Sequence, residues 1–375
     1  MLYVGIDVSK YKHDISVIDH DGTIIIRHLK ISNNHQVFSQ LQNVLAKFKV
    51  SNGEDIQIGL EDTGHYSFNI LHFLRKHGFQ TFSYNPLLIK EFAKHNSLRK
   101  TKTDKKDAMT IARKLREDID KTIYQFDSTM TELKYATRNV SRIKDNCTKL
   151  KVNFTRILDI IFPELAPSLP SNSAKHSLYI YEVLKNYPSP ERIRTAHLTK
   201  LTNIIYKTSH GHHGRNKAIE LKELSKKSIG SESNILEFEL IQTIESIQYF
   251  TKIRKIAEKE VEKIMFKLDS PILTIPGIGI QLGSIILSEI RNISNFKNPG
   301  QLLAYAGAEP SISTSGTVQT EVGYMVKRGS AQLRWALLEA AKISARHSPT
   351  MKSYLHKKEV RVNILMSQLA MSPKS

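Results

Sequence analysis

The 375-residue sequence has one cysteine, Cys147. A lone thiol excludes an intrachain disulfide and any zinc site built from a cysteine cluster, and it points to a cytosolic, cytoplasmic protein. Long apolar runs are also missing. None reaches the length of a membrane span, and the N-terminus MLYVGIDVSK lacks a signal-peptide pattern. Acidic residues are scarce beside basic ones: 36 Asp and Glu face 55 Lys and Arg, giving a net charge of +19 and a pI near 9.7. An excess of this size favours a polyanionic partner. Without a membrane segment, nucleic acid fits better than lipid. The hydrophobic content of 40% supplies real cores, and the length allows two or three domains.

What is present centres on residues 97–113, SLRKTKTDKKDAMTIAR. Thr103 is the predicted N-cap of a helix whose apolar positions are Ala108, Ile111, Ala112 and Leu115. Asp104 and Asp107 then share one helical face. Neighbouring carboxylates repel, so they either raise a pKa or recruit a cation. A hard divalent ion held by carboxylates amid the phosphate-seeking Lys102, Lys105 and Lys106 reconciles the two charge signs. Taken alone, the stretch also reads as a solvated, mixed-charge helix start.

Residues 1–125 read as one α/β domain. Leu2, Val4 and Ile6 alternate as in a strand, Ile15 to Ile18 suggest a second, and the Asp21-Gly22 turn leads into a third at Thr23 to Ile26. An amphipathic helix follows at Val37 to Phe48, then a strand at Ile56 to Leu60, a helix at Phe68 to Leu74 and a strand at Thr81 to Tyr84. The predicted order is β-β-β-α-β-α-β-α, a mixed sheet flanked by helices and begun by an antiparallel meander. Asp7 falls on the first strand and Glu61 at the carboxyl end of the fourth. Ligands of open α/β sheets commonly sit beyond strand ends, so these acids can converge with Asp104 and Asp107 on a divalent metal.

GIDVSK at 5–10, LEDTGHYS at 60–67 and KTDKKDAMTIAR at 102–113 occur together in this order. In these segments the chain resembles the DEDD transposases of the insertion sequence (IS) 110 family, which includes the Piv/MooV DNA invertases. The resemblance implies a RuvC-like, RNase H-type first domain. It maps the acidic quartet onto Asp7, Glu61, Asp104 and Asp107, with Mg²⁺ as the metal. Asp62 adjoins the matching glutamate but is not the motif residue.

Residues 126–268 read as a coiled coil with a helical insert at about 163–234. Leu133, Ala136, Val140, Ile143, Cys147, Leu150, Phe154, Ile157 and Ile161 form a heptad seam. Cys147 on that seam reads as a buried structural thiol. A second helical run spans Ile235 to Leu268, and the two can pair antiparallel within one chain or between chains. FPELAPSLP at 162–170 breaks the first helix. Short helices are predicted at Tyr179 to Leu184 and Ala196 to Tyr206. His210, His212 and His213 read as a turn against a nucleic-acid backbone rather than a metal site.

Residues 269–375 read as a mainly helical domain. Pro276-Gly277-Ile278-Gly279 breaks two apolar runs, as in a helix-hairpin-helix, where Gly277 and Gly279 would offer backbone N–H groups to phosphate. The same glycines also suit a tight turn between core helices. Further on, Ser311, Ser313 and Ser315 precede Gly316, and Lys327, Arg328 and Arg334 can hold DNA. A serine attacks phosphate only when a base, a metal or a positive field activates it. By itself the segment is an ordinary Ser/Thr-rich loop. SGTVQTEVGYMVKRGSAQLR at 315–334 resembles the C-terminal signature of the same family. That resemblance maps the nucleophilic serine onto Ser315, with Ser313 as the reserve position. After KSYLHKKE the family usually continues with an apolar helix. Here the chain reads VRVNILMSQLAMSPKS, which predicts a divergent or truncated end.

The resemblance therefore implies a DNA transposase that moves its own insertion sequence. It implies a covalent serine–DNA intermediate, a structured bridge RNA as guide and a homo-oligomer, dimer or tetramer, with composite sites. Two other readings stay open: a metal-dependent resolvase-type nuclease without a covalent intermediate, and a basic nucleic-acid-binding protein without catalysis.

Overall fold

Alternation in LYVGIDV sets the first unit. Strand β1 (Leu2–Val8) turns Leu2, Val4, Ile6 and Val8 to one face and Tyr3, Gly5 and Asp7 to the other. The computed structural model describes residues 1–52, 55–61, 66–84, 89–93, 104–118, 128–309, 313–315, 318–320, 325, 327 and 329–357. The chain divides into two units, Met1–Ser128 and Thr129–Ser375.

In the first unit β1 is followed by β2 (Lys12–Ile18), β3 (Ile24–Ser32), α1 (His35–Asn52), β4 (Ile56–Glu61), α2 (Tyr66–Lys76), β5 (Gln80–Tyr84) and α3 (Asp104–Glu117). The sheet order is β3-β2-β1-β4-β5. The first three strands are antiparallel, and β1, β4 and β5 run parallel. This mixed sheet is the RNase H-type arrangement, and the element order matches the expectation. Strand β3 runs longer than predicted. Its polar second half pairs with β2 alone, through Lys30 opposite Asp14 and Ser32 opposite Lys12, as suits an edge strand.

Helices α1 and α2 cover the aliphatic face, where Phe38, Leu41, Leu45, Ile70, Leu71 and Leu74 pack on Val4, Ile6, Ile15 and Ile58. Helix α3 covers the other face. Its Ala108, Ile111, Ala112 and Leu115 are all fully buried, so the predicted helical stripe is its core-facing side. The approach is close because two strand positions lack a side chain. A Cβ on Gly5 would lie 2.1 Å from the Ala108 carbonyl oxygen, and one on Gly59 would press on Ile111 and Leu115 at 3.2 and 3.3 Å.

The second unit is built on two long helices, α4 (Ser128–Ile161) and α9 (Asn234–Leu268). They pair antiparallel within the chain: Leu133 packs with Val261 and Met265, Cys147 faces Thr251, and Asn153 donates to Glu239 and Thr243. The α4 seam residues that sequence periodicity marked are buried or half-buried, and Cys147 is 5% exposed. Between the long helices lie α5 (Leu178–Asn186), α6 (Pro190–Thr195), α7 (Leu198–Thr208) and α8 (Arg215–Lys226). They close a core over Phe154, Ile157, Leu240 and Ile244. The chain re-enters beside its exit point: the Ser231 amide donates to the Ile160 carbonyl at 2.9 Å, and Glu164 accepts from Ser228 Oγ and the Ile229 amide. The histidine turn is held by this fold, with the His213 ring 4.8 Å from Tyr179.

Helices α10 (Ile280–Ile290), α11 (Pro299–Ala306) and α12 (Ala331–His347) form the last core, around Leu282, Ile286, Leu333 and Ala336. A two-stranded hairpin, β6 (Ser313–Ser315) and β7 (Val318–Thr320), lies between α11 and α12 in sequence. The divergent segment at 360–375 and the predicted N-cap Thr103 lie outside the described residues. Among the described residues no helix is long and apolar enough to cross a membrane.

Candidate active site

The acids are positioned by strand register. Gly5 pairs with Gly59 and Ile6 with Leu60 on the parallel strands β1 and β4. Asp7 and Glu61 are the next residues, so they leave neighbouring strands together, at the carboxyl ends and on the face of the two glycines. Helix α3 crosses that face. Its Ala108 and Ala112 lie on Gly5, while Ile111 and Leu115 lie on Gly59 and beside Tyr3. The helix runs against the strand direction, since its Arg116 guanidinium reaches Gly22 in the β2–β3 turn, beside the strand starts. Its first turn, which carries Asp104 and Asp107, lies toward the strand ends that carry Asp7 and Glu61. Asp7, Glu61 and Asp107 are half-buried there.

Sequence reading missed a fifth acid. Asp14 stands directly opposite Asp7 across the β1–β2 ladder and is 3% exposed. It pairs with His28 Nε2 at 2.5 Å and with Lys12 at 3.9 Å. The signal was present in the alternation of β2, which puts Asp14 on the same face as Ser16 and Ile18. The side chains of Asp104, Lys105 and Lys106, the whole of Lys102 and Arg328, and Asp62 lie outside the described residues.

The remaining predicted residues belong to the second unit. Ser315 pairs with Val318 at the turn end of the β6–β7 hairpin, and Ser313 with Thr320. Lys327 is exposed in the left-handed region (φ 54°), and its amide donates to the Gly307 carbonyl at 3.0 Å. Arg334 is half-buried, and its Nη1 donates to the Ala306 carbonyl at 3.0 Å, so part of this guanidinium closes the end of α11. The two hairpin glycines differ. Gly277 (φ 88°) touches α12, where a Cβ would lie 2.6 Å from Ile343 Cγ2. This is the tight-turn reading. Gly279 is exposed and precedes α10, and a Cβ there would meet open space. That leaves the helix start open to an anion.

A family model described as "Transposase" (DEDD_Tnp_IS110) matches residues 4–163. A second, "Transposase IS116/IS110/IS902 family", matches residues 269–356. The chain belongs to the IS110 family of transposases. The first match spans the strand ends and α3, and the second spans the glycine turn, hairpin and α12. Relatives of the chain extend over most of its length. An insertion element IS116 uncharacterized 44.8 kDa protein of Streptomyces clavuligerus is 23% identical over 364 residues, covering 95% of this chain and 88% of that protein. A mini-circle putative transposase for IS117 of Streptomyces coelicolor is 23% identical over 332 residues, covering 84% and 78%. A pilin gene-inverting protein of Moraxella bovis is 32% identical over 111 residues, covering 30% and 33%. Among solved structures, Thermus thermophilus RuvC covers 33% of this chain and 99% of its own, with 13% identity and a TM-score of 0.25.

An IS110 transposase is an enzyme acting on DNA, and the DEDD signature is one of divalent-metal chemistry. The donor set fits such an ion, since carboxylate oxygens are hard ligands. Among the described residues no group of three His, Cys, Asp or Glu side chains stands at metal-holding spacing. That holds for Asp7, Glu61 and Asp107, while the side chain of Asp104 lies outside the described residues.

Proposed function

We propose that the chain cleaves and exchanges DNA strands to move an insertion sequence, using Ser315 as nucleophile and an acidic Mg²⁺ site. The observation that supports this reading is the joint exit of Asp7 and Glu61 from adjacent parallel strands, on the sheet face that α3 crosses. Asp7, Glu61, Asp104 and Asp107 would hold Mg²⁺. Once bound, that ion would neutralise phosphate charge and polarise the phosphorus–oxygen bond. Ser315 Oγ attacks the phosphorus of a phosphodiester and loses its proton. A serine–phosphorus ester forms, the bond from phosphorus to a deoxyribose oxygen breaks, and that oxygen takes up a proton. Lys102, Lys105, Lys106, Lys327, Arg328 and Arg334 hold phosphates, and the open start at Gly279 offers amides to another. A structured guide RNA selects the DNA, consistent with the +19 charge.

The reading also includes a dimer or tetramer that brings the acids of one copy to the serine of another. The heptad seam of α4 is filled by α9 of the same chain, so other surfaces would join the copies.

The test incubates the protein with duplex carrying the element ends, the flanking-region transcript and Mg²⁺. A denaturing gel then shows whether protein stays attached to DNA. Ser315→Ala is expected to abolish that band, and Asp7→Asn or Asp104→Asn to reduce it on the order of a hundredfold or more. Cleavage that survives Ser315→Ala, with no adduct in the wild type, would assign a resolvase-type mechanism instead. No cleavage by any variant would leave a binding protein.

A further inference from the structure

Glu289 is an acid in the apolar run IILSEI, and it is 2% exposed. A buried carboxylate is costly unless its oxygens are fully engaged. Here they are. Oε1 accepts from Arg138 Nε and Nη2 at 3.1 and 2.8 Å, and Oε2 accepts from Ser330 Oγ at 3.1 Å with Lys134 Nζ at 3.4 Å. Burial would raise this carboxyl, but Lys134, Arg138 and Ser330 outweigh it and hold it below the ordinary range. The backbone carbonyl of Glu289 also accepts from the Tyr305 hydroxyl at 3.3 Å. One residue thus ties α4, α10 and α11 to the start of α12.

Ser330 ends the segment that follows the hairpin; two further contacts fix its described residues, and one fixes the first turn of α12 behind it. The Lys327 amide reaches Gly307, and Arg334 reaches Ala306. Gly329 lies so close to α11 that a Cβ would sit 2.1 Å from the Tyr305 carbonyl. Ser330 Oγ has a second task, accepting from the Leu333 amide at 3.3 Å as N-cap of α12.

We infer that Glu289 is a positioning residue for strand cleavage, anchoring through Ser330 the point where the chain before and after the Ser315 hairpin meets, Lys327 on Gly307, which is the root of that loop. This rests on Ser315 being the nucleophile. Reacting atoms must be held to within about an ångström, so a loosened root lowers the rate of attack while leaving DNA affinity in place.

Variants at Ser330 separate anchoring from capping. Ser330→Thr keeps both the hydroxyl donor and the cap. Ser330→Asp keeps a cap acceptor but places a carboxylate against Glu289. Ser330→Ala removes both. The full-length chain is assayed for the rate of adduct formation on element-end duplex with transcript and Mg²⁺, for affinity to the same duplex, and for amide hydrogen exchange. Ser330→Asp and Ser330→Ala are expected to form adduct roughly tenfold to a hundredfold more slowly at unchanged affinity. Exchange at Lys327 should rise in both, with that of α4 and α9 unchanged. Ser330→Thr should match the wild type. A wild-type rate for Ser330→Asp, with Lys327 still protected, would overturn the anchor and leave Ser330 a helix cap. If the wild type itself forms no adduct, the nucleophile assignment falls, and Lys327 exchange in Ser330→Asp alone decides whether Glu289 anchors the hairpin root.

Discussion

One methyl group at Gly5 would land on the backbone of α3, 2.1 Å from the Ala108 oxygen and 2.4 Å from the Ala112 nitrogen. Backbone cannot rotate out of the way as a side chain can, so the whole helix must shift. Gly5→Ala is expected to cost about 1–3 kcal/mol of first-unit stability and to move the first turn of α3 away from Asp7 and Glu61. Strand cleavage should then fall further than melting temperature alone explains. His13 gives a second test at this scale. It is fully buried against Phe38, and that burial lowers its pKa below 6.5 despite the opposing pull of Asn33 and Asp14. Below pH 6.5 the unfolded chain takes up a proton that the folded ring resists, so stability is full above that pH and declines as pH falls through it. His13→Phe should flatten that decline in an acid-unfolding series. At this scale the strand positions of Asp7 and Glu61 were legible, because both lie at the carboxyl ends of recognisable strands. The glycines beside them were not. Gly5 and Gly59 gain meaning only from what crosses over them, and sequence periodicity gives no crossing point. Glu289 carried a readable signal, a charge inside an apolar helical run, but its partners come from helices distant in sequence.

The long helices α4 and α9 make predictions as a pair. Phe154 is fully buried where α4 meets the insert, with Tyr181 edge-on at 5.2 Å and the His176 ring at 5.3 Å. Phe154→Ala is expected to destabilise the second unit by about 3–5 kcal/mol, read as a lower thermal or denaturant midpoint. His176 accepts or donates at Tyr181 Oη, 2.8 Å away, and its pKa is lowered to about 4 by burial, with Lys151 and Lys175 adding to the effect. The second unit should therefore lose stability between pH 6.5 and about 4, and His176→Gln should remove part of that loss. Heptad spacing announced the α4 seam without ambiguity. It did not announce the partner, because an apolar stripe is filled equally well by a helix of its own chain or of another. The Asn153 amide meeting Glu239 and Thr243 settles this for one chain, and those are polar residues that a search for apolar spacing passes over.

Across the whole molecule the +19 charge dominates any encounter with nucleic acid. DNA affinity should fall about a thousandfold or more between roughly 50 and 200 mM salt if about six or more phosphates are neutralised. A filter-binding titration at several salt concentrations gives the number of ions released. A flat response would mean that the excess of 19 cations lies away from the phosphates of the bound duplex. The sequence divides into three stretches where the sheet pattern gives way to heptads and the heptads to the glycine turn, whereas the structure forms two units, Met1–Ser128 and Thr129–Ser375. The insert between the long helices was legible only as a set of short helices, because its core is shared with Phe154 and Leu240 and belongs to no single segment.

Glu289 grips α4 at Arg138, and the insert begins where α4 ends at Ile161. The intervening helical rise is about 35 Å, close to one full turn of a B-form duplex, about 34–36 Å. A straight double helix laid along this rod would show the same groove to the insert at one end and to the α10–α12 helices at the other.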